Sequence, residues 1–190
     1  MMQGTSANAI GTGLHAARQA LRRLCEGFFS DRSWIECCEV VGAGEMPSLP
    51  RELLVHNTHM TPRLRSHYGQ ALRLDVRAER LDGDQYTRKI KLLLGDSREV
   101  AEFGIMRIDL RCVPTEARSA ILEKGTPLGD ILARHNVLTK VEPWAYVGFV
   151  APCPILKCLR RDALPAAYGR LATIRCNGEA AVELLEVVPG

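Results

Sequence analysis

Long apolar runs are missing from the sequence. None of its 190 residues belongs to a stretch of 18 or more consecutive apolar residues, close to the ~20 that a membrane-spanning helix needs. Residues 1–12 also lack a basic stretch followed by an apolar one, which is the pattern of a secretory signal. We therefore expect a soluble, cytoplasmic protein without a membrane partner.

Lysine is scarce, since only five of the 25 basic residues are Lys and the other 20 are Arg. The 22 acidic residues leave a formal net charge of +3, and the pI is about 8.5. Nucleic-acid-binding domains usually carry a clustered basic face and a pI above about 9, whereas charges here are interspersed. We expect no nucleic-acid partner. The Arg bias is typical of some genome base compositions, but it also suits bidentate binding of small carboxylates.

Metal-ligand spacing is absent as well. The seven Cys are an odd number in a chain without an export signal, which predicts reduced thiols. Cys153 and Cys158 are separated by four residues, which is not the spacing of a zinc finger or ribbon. His56, His59 and His67 lie within twelve residues, but no acidic ligand accompanies them. We predict no metal site.

Cofactor and nucleophile motifs are also missing. Gly11-Thr12-Gly13 lacks the third glycine and the preceding strand of a phosphate-binding loop. No Ser lies in a nucleophile elbow, and no Cys has a matching His and acid. The composition, with 46% apolar and 25% charged residues, is that of one ordinary globular core. We expect a single domain that works without a cofactor.

Helix signals flank a central run of strands. Apolar residues at helical spacing predict an amphipathic helix over 13–27. Further helices are predicted from about Pro50, over 62–68 with Gly69 as its stop, and after Thr115 and Pro127.

Period-two alternation of apolar and polar residues predicts strands from 71 to 110, with turns at 82–84 and 95–97. Further strands are predicted at 141–150, 171–176 and 180–188, the last two joined at Asn177-Gly178 as a type I′ hairpin. The pattern predicts an α+β fold: a single antiparallel sheet of about six strands with helices packed on one side. We divide the chain into an N-terminal helical extension (1–45) and the main domain (46–190).

One strand carries a charge on its apolar side. Arg88 shares a side of its strand with apolar neighbours, while Thr87, Lys89 and Lys91 share the other. A buried, unpaired guanidinium costs several kcal/mol, so Arg88 either meets a buried carboxylate of the protein or binds an anionic ligand. A third interpretation is that Arg88 lies at the end of its strand, where its aliphatic stem packs and its charged head reaches water.

The last strand has one Glu on each of two largely apolar faces. Glu186 alternates with Val182 and Leu184, and Glu183 shares the other face with Leu185. Desolvation favours the protonated form of such a carboxyl, which makes it available as a general acid. Periodicity alone does not choose between the two, and either could lie at an edge or pair with Arg88.

Four stretches, in order over about residues 50–189, resemble the chorismate lyase family (chorismate pyruvate-lyases, 4-hydroxybenzoate synthases). They are Leu53-Leu54 with His59-Met60-Thr61, Tyr86-Thr87-Arg88-Lys89-Ile90 with Leu92 and Leu94, Pro127-Leu128-Gly129-Asp130-Ile131-Leu132, and Gly178 to Glu186 with Pro189. The likeness is greatest to the branch that serves secondary metabolism. It implies a chorismate lyase-like fold.

The resemblance also implies a reaction and a site. The enzyme would be a carbon–oxygen lyase that eliminates pyruvate from chorismate, leaves 4-hydroxybenzoate and needs no cofactor. Arg88 would bind a carboxylate and act in catalysis with Glu186. The substrate would further contact Met60, Thr61, Leu128 and Gly129, in part through backbone N–H groups.

Two departures from the family pattern leave alternatives open. The family's second arginine has no unambiguous match, although Arg107 and Arg111 lie near its expected place, and we keep Arg107 as a substrate-binding candidate. Glu186 is one residue closer to the closing proline than in the family pattern, so Glu183 remains a candidate too. Two other functions fit the same fold: an enzyme acting on another small acid or polyketide, and a non-catalytic module that binds a small effector, as in some transcription regulators.

Overall fold

The computed structural model describes residues 5–30, 33–159 and 165–190, so residues 1–4 and 31–32 of the predicted extension lie outside it. The strands are β1 (Cys38–Val41), β2 (Leu72–Asp82), β3 (Gln85–Leu94), β4 (Val100–Asp109), β5 (Thr139–Val150), β6 (Ala166–Cys176) and β7 (Glu179–Pro189). The helices are α1 (Thr5–Cys25), α2 (Ser33–Glu36), α3 (Ser48–Leu54), α4 (Met60–Tyr68), α5 (Thr115–Leu122), α6 (Leu128–Arg134) and α7 (Pro154–Cys158).

All seven strands form one antiparallel sheet in the order β1-β5-β6-β7-β4-β3-β2. Short turns set this order: Asn177 and Gly178 both have positive φ, 52° and 92°, as a type I′ turn between β6 and β7 requires. The predicted α+β class and the single antiparallel sheet are confirmed. The seventh strand, β1, has only four residues, too few for the alternation signal to stand out.

Four helices of the main domain, α3 to α6, pack on one face of the sheet, which we call the cavity face. Their apolar side chains form one core with alternate residues of the strands, including Ile90, Met106 and Leu184. Residues of the opposite parity, such as Phe103 and Leu185, form a second core with α1, α2 and α7 on the other face. Each central strand is therefore buried on both sides, which explains why β7 is apolar on both faces.

Helix boundaries differ slightly from those predicted. Helix α4 begins at Met60 because His59 has the extended conformation of an N-cap (φ −63°, ψ 145°), and it ends at Gly69 with φ 63°. Met60 and Thr61 are consequently in the first helical turn, and both are buried. Helix α6 begins at Leu128, directly after Pro127.

The prediction that all seven cysteines are reduced is wrong for one pair. Cys37 and Cys153, 116 residues apart, form a disulfide, and it connects the end of α2 to the start of α7 on the face opposite the cavity. Sequence spacing carries no information on such a contact, since the fold alone brings the two thiols together. Among the described residues, no helix has the length and apolar character needed to cross a membrane.

Candidate functional site

A small cavity of about 30 Å³ lies between the sheet and the starts of two helices. A buried water needs ~10–15 Å³ of cavity volume, so the cavity has room for about two water molecules. Strands β3, β4, β6 and β7 supply its base, with the apolar side chains Ile90, Leu92, Met106, Ile174 and Leu184. The cavity is thus built on the rigid centre of the sheet.

Two short segments cover the cavity, and we call them the lid: residues 59–61 before and in α4, and residues 127–129 before and in α6. They touch each other, because a Cβ placed on Gly129 would lie 3.1 Å from the Cβ of His59. His59 is further fixed by a 3.0 Å hydrogen bond between its Nε2 and the Thr139 hydroxyl. The lid contains four of the residues predicted to bind substrate: Met60, Thr61, Leu128 and Gly129.

Arg88 is fully buried on the cavity face, with 0% exposure. Its Nε donates to the sulfur of Met106 at 3.4 Å, while neither terminal nitrogen has a hydrogen-bond partner among the described residues. Met106 lines the cavity and Arg88 does not, although the two side chains are bonded to each other. Burial lowers the pKa of Arg88.

The nearest acid to Arg88 is already occupied. Glu79 is the cross-strand partner of Arg88. The Tyr86 hydroxyl acts to raise the Arg88 pKa against the effect of burial, and the charge of Glu79 adds to this more weakly. The Tyr86 hydroxyl, however, donates to Glu79 at 2.6 Å, and Lys124 bonds the other Glu79 oxygen. The two terminal nitrogens of Arg88 are therefore buried without a hydrogen-bond partner among the described residues.

A second buried arginine on the same face, Arg170, is fully engaged. Its Nε donates to Glu186 Oε2 at 2.6 Å, and its terminal nitrogens donate to the backbone oxygens of His56 at 2.8 Å and Thr58 at 3.1 Å. Glu186 lines the cavity and is 7% exposed. Arg170 thereby neutralises Glu186 and holds the loop 55–59, which leads into the lid.

A third charged residue, Glu102, also lines the cavity. It is 1% exposed, and its Oε2 has no hydrogen-bond partner among the described residues. Burial raises the pKa of Glu102 well above its ordinary value, and the charge of Glu186 raises it further. Gly104 leaves space for this carboxyl, because a Cβ there would lie 3.2 Å from Glu102 Oε1. Burial thus favours the protonated form of the Glu102 carboxyl.

Two histidines near the cavity are neutral. Burial lowers the pKa of His56, and the neighbouring charge of Arg170 lowers it further. Burial also lowers the pKa of His59, although Glu186 acts in the opposite direction. His59 is therefore a hydrogen-bonding group of the lid rather than a cation.

Two predicted site residues lie on the wrong face of the sheet. Arg107 lies on the face opposite the cavity, since the alternation of β4 gives the cavity face to its neighbours Met106 and Ile108, and its Nε donates to Gln85 at 3.1 Å. Glu183 also points away from the cavity and forms a 2.6 Å ion pair with Arg23 of α1. The structure therefore brings neither residue to the cavity, because one step along a strand reverses the face.

Sequence reasoning missed two residues of this site. Glu102 was detectable by the argument that singled out Arg88, because it shares a strand face with Met106 and Ile108. Arg170 was missed because β6 begins at Ala166, five residues before the predicted start, and Arg170 lies in that added part. In the described part of the chain, no three His, Cys, Asp or Glu side chains are grouped to hold a metal ion.

Comparison with known proteins gives similarity of fold. No protein-family model and no curated protein matches the sequence. The crystal structure of PhnF from Mycobacterium smegmatis aligns over 93% of this chain and 80% of its own, with a TM-score of 0.52 and 11% identity. The C-terminal domain of histidine utilization repressor from Pseudomonas syringae pv. tomato aligns over 63% of this chain and 92% of its own, with a TM-score of 0.43 and 9% identity. The fold is α+β and chorismate lyase-like.

Proposed function

We propose that this chain binds a small carboxylic acid with a ring-like apolar body and that Arg88 binds its carboxylate. The observation that supports this most strongly is the buried Arg88 guanidinium, whose two terminal nitrogens have no partner in the described residues. A planar guanidinium binds a carboxylate through two parallel hydrogen bonds, which would satisfy both nitrogens. The apolar base of the cavity suits a ring.

Ligand entry requires movement, because the cavity of about 30 Å³ is too small for a ring. Met106 is unbranched and flexible, so it can change rotamer and open the path to Arg88 at low cost. The lid is made of two helix starts that meet mainly at His59 and Gly129. We propose that the lid separates from the sheet to admit the ligand and then closes over it.

Binding without turnover is the function that the geometry supports best. Glu186, which the family resemblance assigns to catalysis, is already neutralised by Arg170 at 2.6 Å. Its Oε2 is therefore already engaged by a side chain of the protein. We therefore propose, as the first candidate, that this chain is an effector-binding module and not an enzyme.

Chorismate pyruvate-lyase activity is a second candidate, and one observation favours it. The protonated Glu102 lines the cavity and could handle the proton that this elimination moves. In that reaction the bond between the ring carbon and the ether oxygen breaks and the ring loses a proton to become aromatic. The departing enolpyruvate gains a proton on its methylene carbon and becomes pyruvate. Orientation and electrostatics in a dry site would then supply the catalysis.

Two assays on the purified chain test these functions. Calorimetry should show that 4-hydroxybenzoate binds, and Arg88→Met should weaken it about 10- to 100-fold through loss of a charged hydrogen-bond pair. Arg107→Met is the matched control, because Arg107 lies on the other face, and it should leave the affinity unchanged. Failure to bind any benzoate would refute the binding proposal.

Incubation with chorismate, with pyruvate and 4-hydroxybenzoate measured, separates the two candidates. The binding module predicts no pyruvate release above the spontaneous rate. Release that is lost in Glu102→Gln would instead establish the lyase.

A further inference from the structure

Glu102 is a polar group of the cavity that the proposed function leaves unused. Its carboxyl lines the cavity together with Glu186, and its Oε2 has no partner among the described residues. A buried polar atom without a hydrogen bond costs about 1–3 kcal/mol. The space for this carboxyl is provided by Gly104, which has no side chain at the position directly opposite Glu186. Sequence and packing therefore present an unsatisfied carboxyl to the cavity.

The charges around Glu102 define its chemical state. Arg170 is the cation at this end of the cavity, and its hydrogen bonds go to Glu186 and to the backbone of His56 and Thr58. Two carboxyls thus share one arginine, and Glu186 has the direct contact. Glu102 must retain its proton, because a second buried carboxylate beside the first would be uncompensated. This end of the cavity is electrically balanced without a ligand charge.

The opposite end of the cavity has the reverse character. Arg88 and Met106 are cross-strand partners, whereas the Glu102 carboxyl lies beside Gly104, the next residue of β4 on the cavity face. The Arg88 end therefore needs an anion, while the Glu102 end needs an uncharged hydrogen-bonding group. A ligand that spans both ends carries its charge at one end only.

We propose that Glu102 determines the ligand specificity of this site: its carboxylic acid donates a hydrogen bond to an uncharged oxygen at the end of the ligand remote from Arg88. The ligand class is consequently a monocarboxylic acid with a distal hydroxyl or carbonyl, and dicarboxylic acids are excluded. A second carboxylate would lie against Glu186 and Glu102, where no unpaired cation compensates it. This inference rests on the proposed function and adds the distal half of the ligand.

Three probes measured by calorimetry at pH 7 test the inference, namely benzoate, 4-hydroxybenzoate and benzene-1,4-dicarboxylate, and a fourth, 4-(aminomethyl)benzoate, tests the alternative of a cationic distal group. The native chain should bind 4-hydroxybenzoate about tenfold more tightly than benzoate, as one hydrogen bond provides, and more tightly still than the dicarboxylate. Glu102→Leu fills similar space without hydrogen bonding and should bring the ratio of 4-hydroxybenzoate to benzoate close to one. Glu102→Gln is neutral and donates N–H, as the inference requires of the native carboxylic acid, so it should keep the native order of the three affinities.

The control is Glu183→Gln, which changes the same side chain on the other face of β7, where Glu183 pairs with Arg23. It should leave all three affinities unchanged. If the probes bind but Glu102→Leu retains the native ratios, the inference is wrong while the proposed function stands. If 4-(aminomethyl)benzoate binds most tightly and releases a proton, Glu102 pairs with a cation instead, and the inference is also wrong. If no benzoate binds, the proposed function fails and the inference fails with it.

Discussion

The cavity face of the sheet carries two fully buried arginines that differ in their hydrogen-bond partners. Arg170 bonds Glu186 and two backbone oxygens of the loop 55–59, whereas Arg88 donates to the Met106 sulfur and its two terminal nitrogens have no hydrogen-bond partner among the described residues. Both have 0% exposure, so burial does not distinguish them. What differs is whether the protein itself satisfies the charge.

This contrast distinguishes an arginine that supports the fold from an arginine that is available to bind a ligand. A buried cation that the fold satisfies stabilises the arrangement around it, and losing it leaves its partner charge stranded. A buried cation that the fold leaves unsatisfied destabilises the free protein and gains its partners from a ligand. Arg170 therefore positions the loop before the lid, and Arg88 is the residue we propose for ligand binding. Replacing Arg170 should lower the free energy of unfolding. Replacing Arg88 should raise it and should weaken ligand binding.

The largest effect is expected from Arg170→Ala. This change leaves the buried Glu186 without its cation and removes the bonds to the loop 55–59, so the free energy of unfolding should fall by about 3–5 kcal/mol. Arg175→Ala is the matched control on the same strand, because Arg175 pairs with the partly exposed Glu142 and should contribute only ~0–1 kcal/mol. Urea unfolding measures both. A loss for Arg170→Ala as small as that of the control would contradict the supporting role.

A smaller effect of opposite sign is expected from Arg88→Met. Methionine fills similar volume without a charge, so the free energy of unfolding should rise by about 1 kcal/mol or more, because an unpaired buried cation is removed. The same variant should lose ligand binding. Urea unfolding without ligand is the measurement, and a destabilisation comparable to that of Arg170→Ala would mean that the fold satisfies Arg88 after all.

The smallest effect concerns pH and Glu102. Its pKa is raised in the folded state, so the folded protein holds a proton that the unfolded chain releases above its ordinary pKa. The native chain should therefore lose stability as the pH rises from about 4.5 towards the raised pKa of Glu102. Glu102→Gln has no titratable group at this position. Its free energy of unfolding, relative to that of the native chain, should therefore increase with pH. Urea unfolding at pH 5 and pH 8 measures the difference, and a constant difference would show that Glu102 does not titrate abnormally.

Much of the fold was predictable because its signals are local. The alternation in β3 places Tyr86, Arg88 and Ile90 on one face, and the turn at Asn177-Gly178 defines the last hairpin. Both features depend on residues that are close in sequence. The anomaly of a charge among apolar neighbours located Arg88 without any knowledge of the neighbouring strands.

The pairing of charges was not predictable from the same signals. That Glu186 contacts Arg170 depends on the register of β6 with β7, in which these two residues are opposite each other. The cavity carboxyl whose pKa burial raises is Glu102, which lies on a third strand, β4. Likewise, Arg107 and Glu183 were plausible by position along the chain, but a single step along each strand turns them to the other face.

The most direct test of the account is a crystal structure of the chain with 4-hydroxybenzoate. We expect the ligand carboxylate within hydrogen-bond distance of both terminal nitrogens of Arg88, with the Met106 side chain displaced and the 4-hydroxyl next to Glu102. A ligand bound elsewhere, or one whose carboxylate contacts Arg170 while Arg88 remains behind Met106, would contradict the claim that the unsatisfied arginine is the recognition residue.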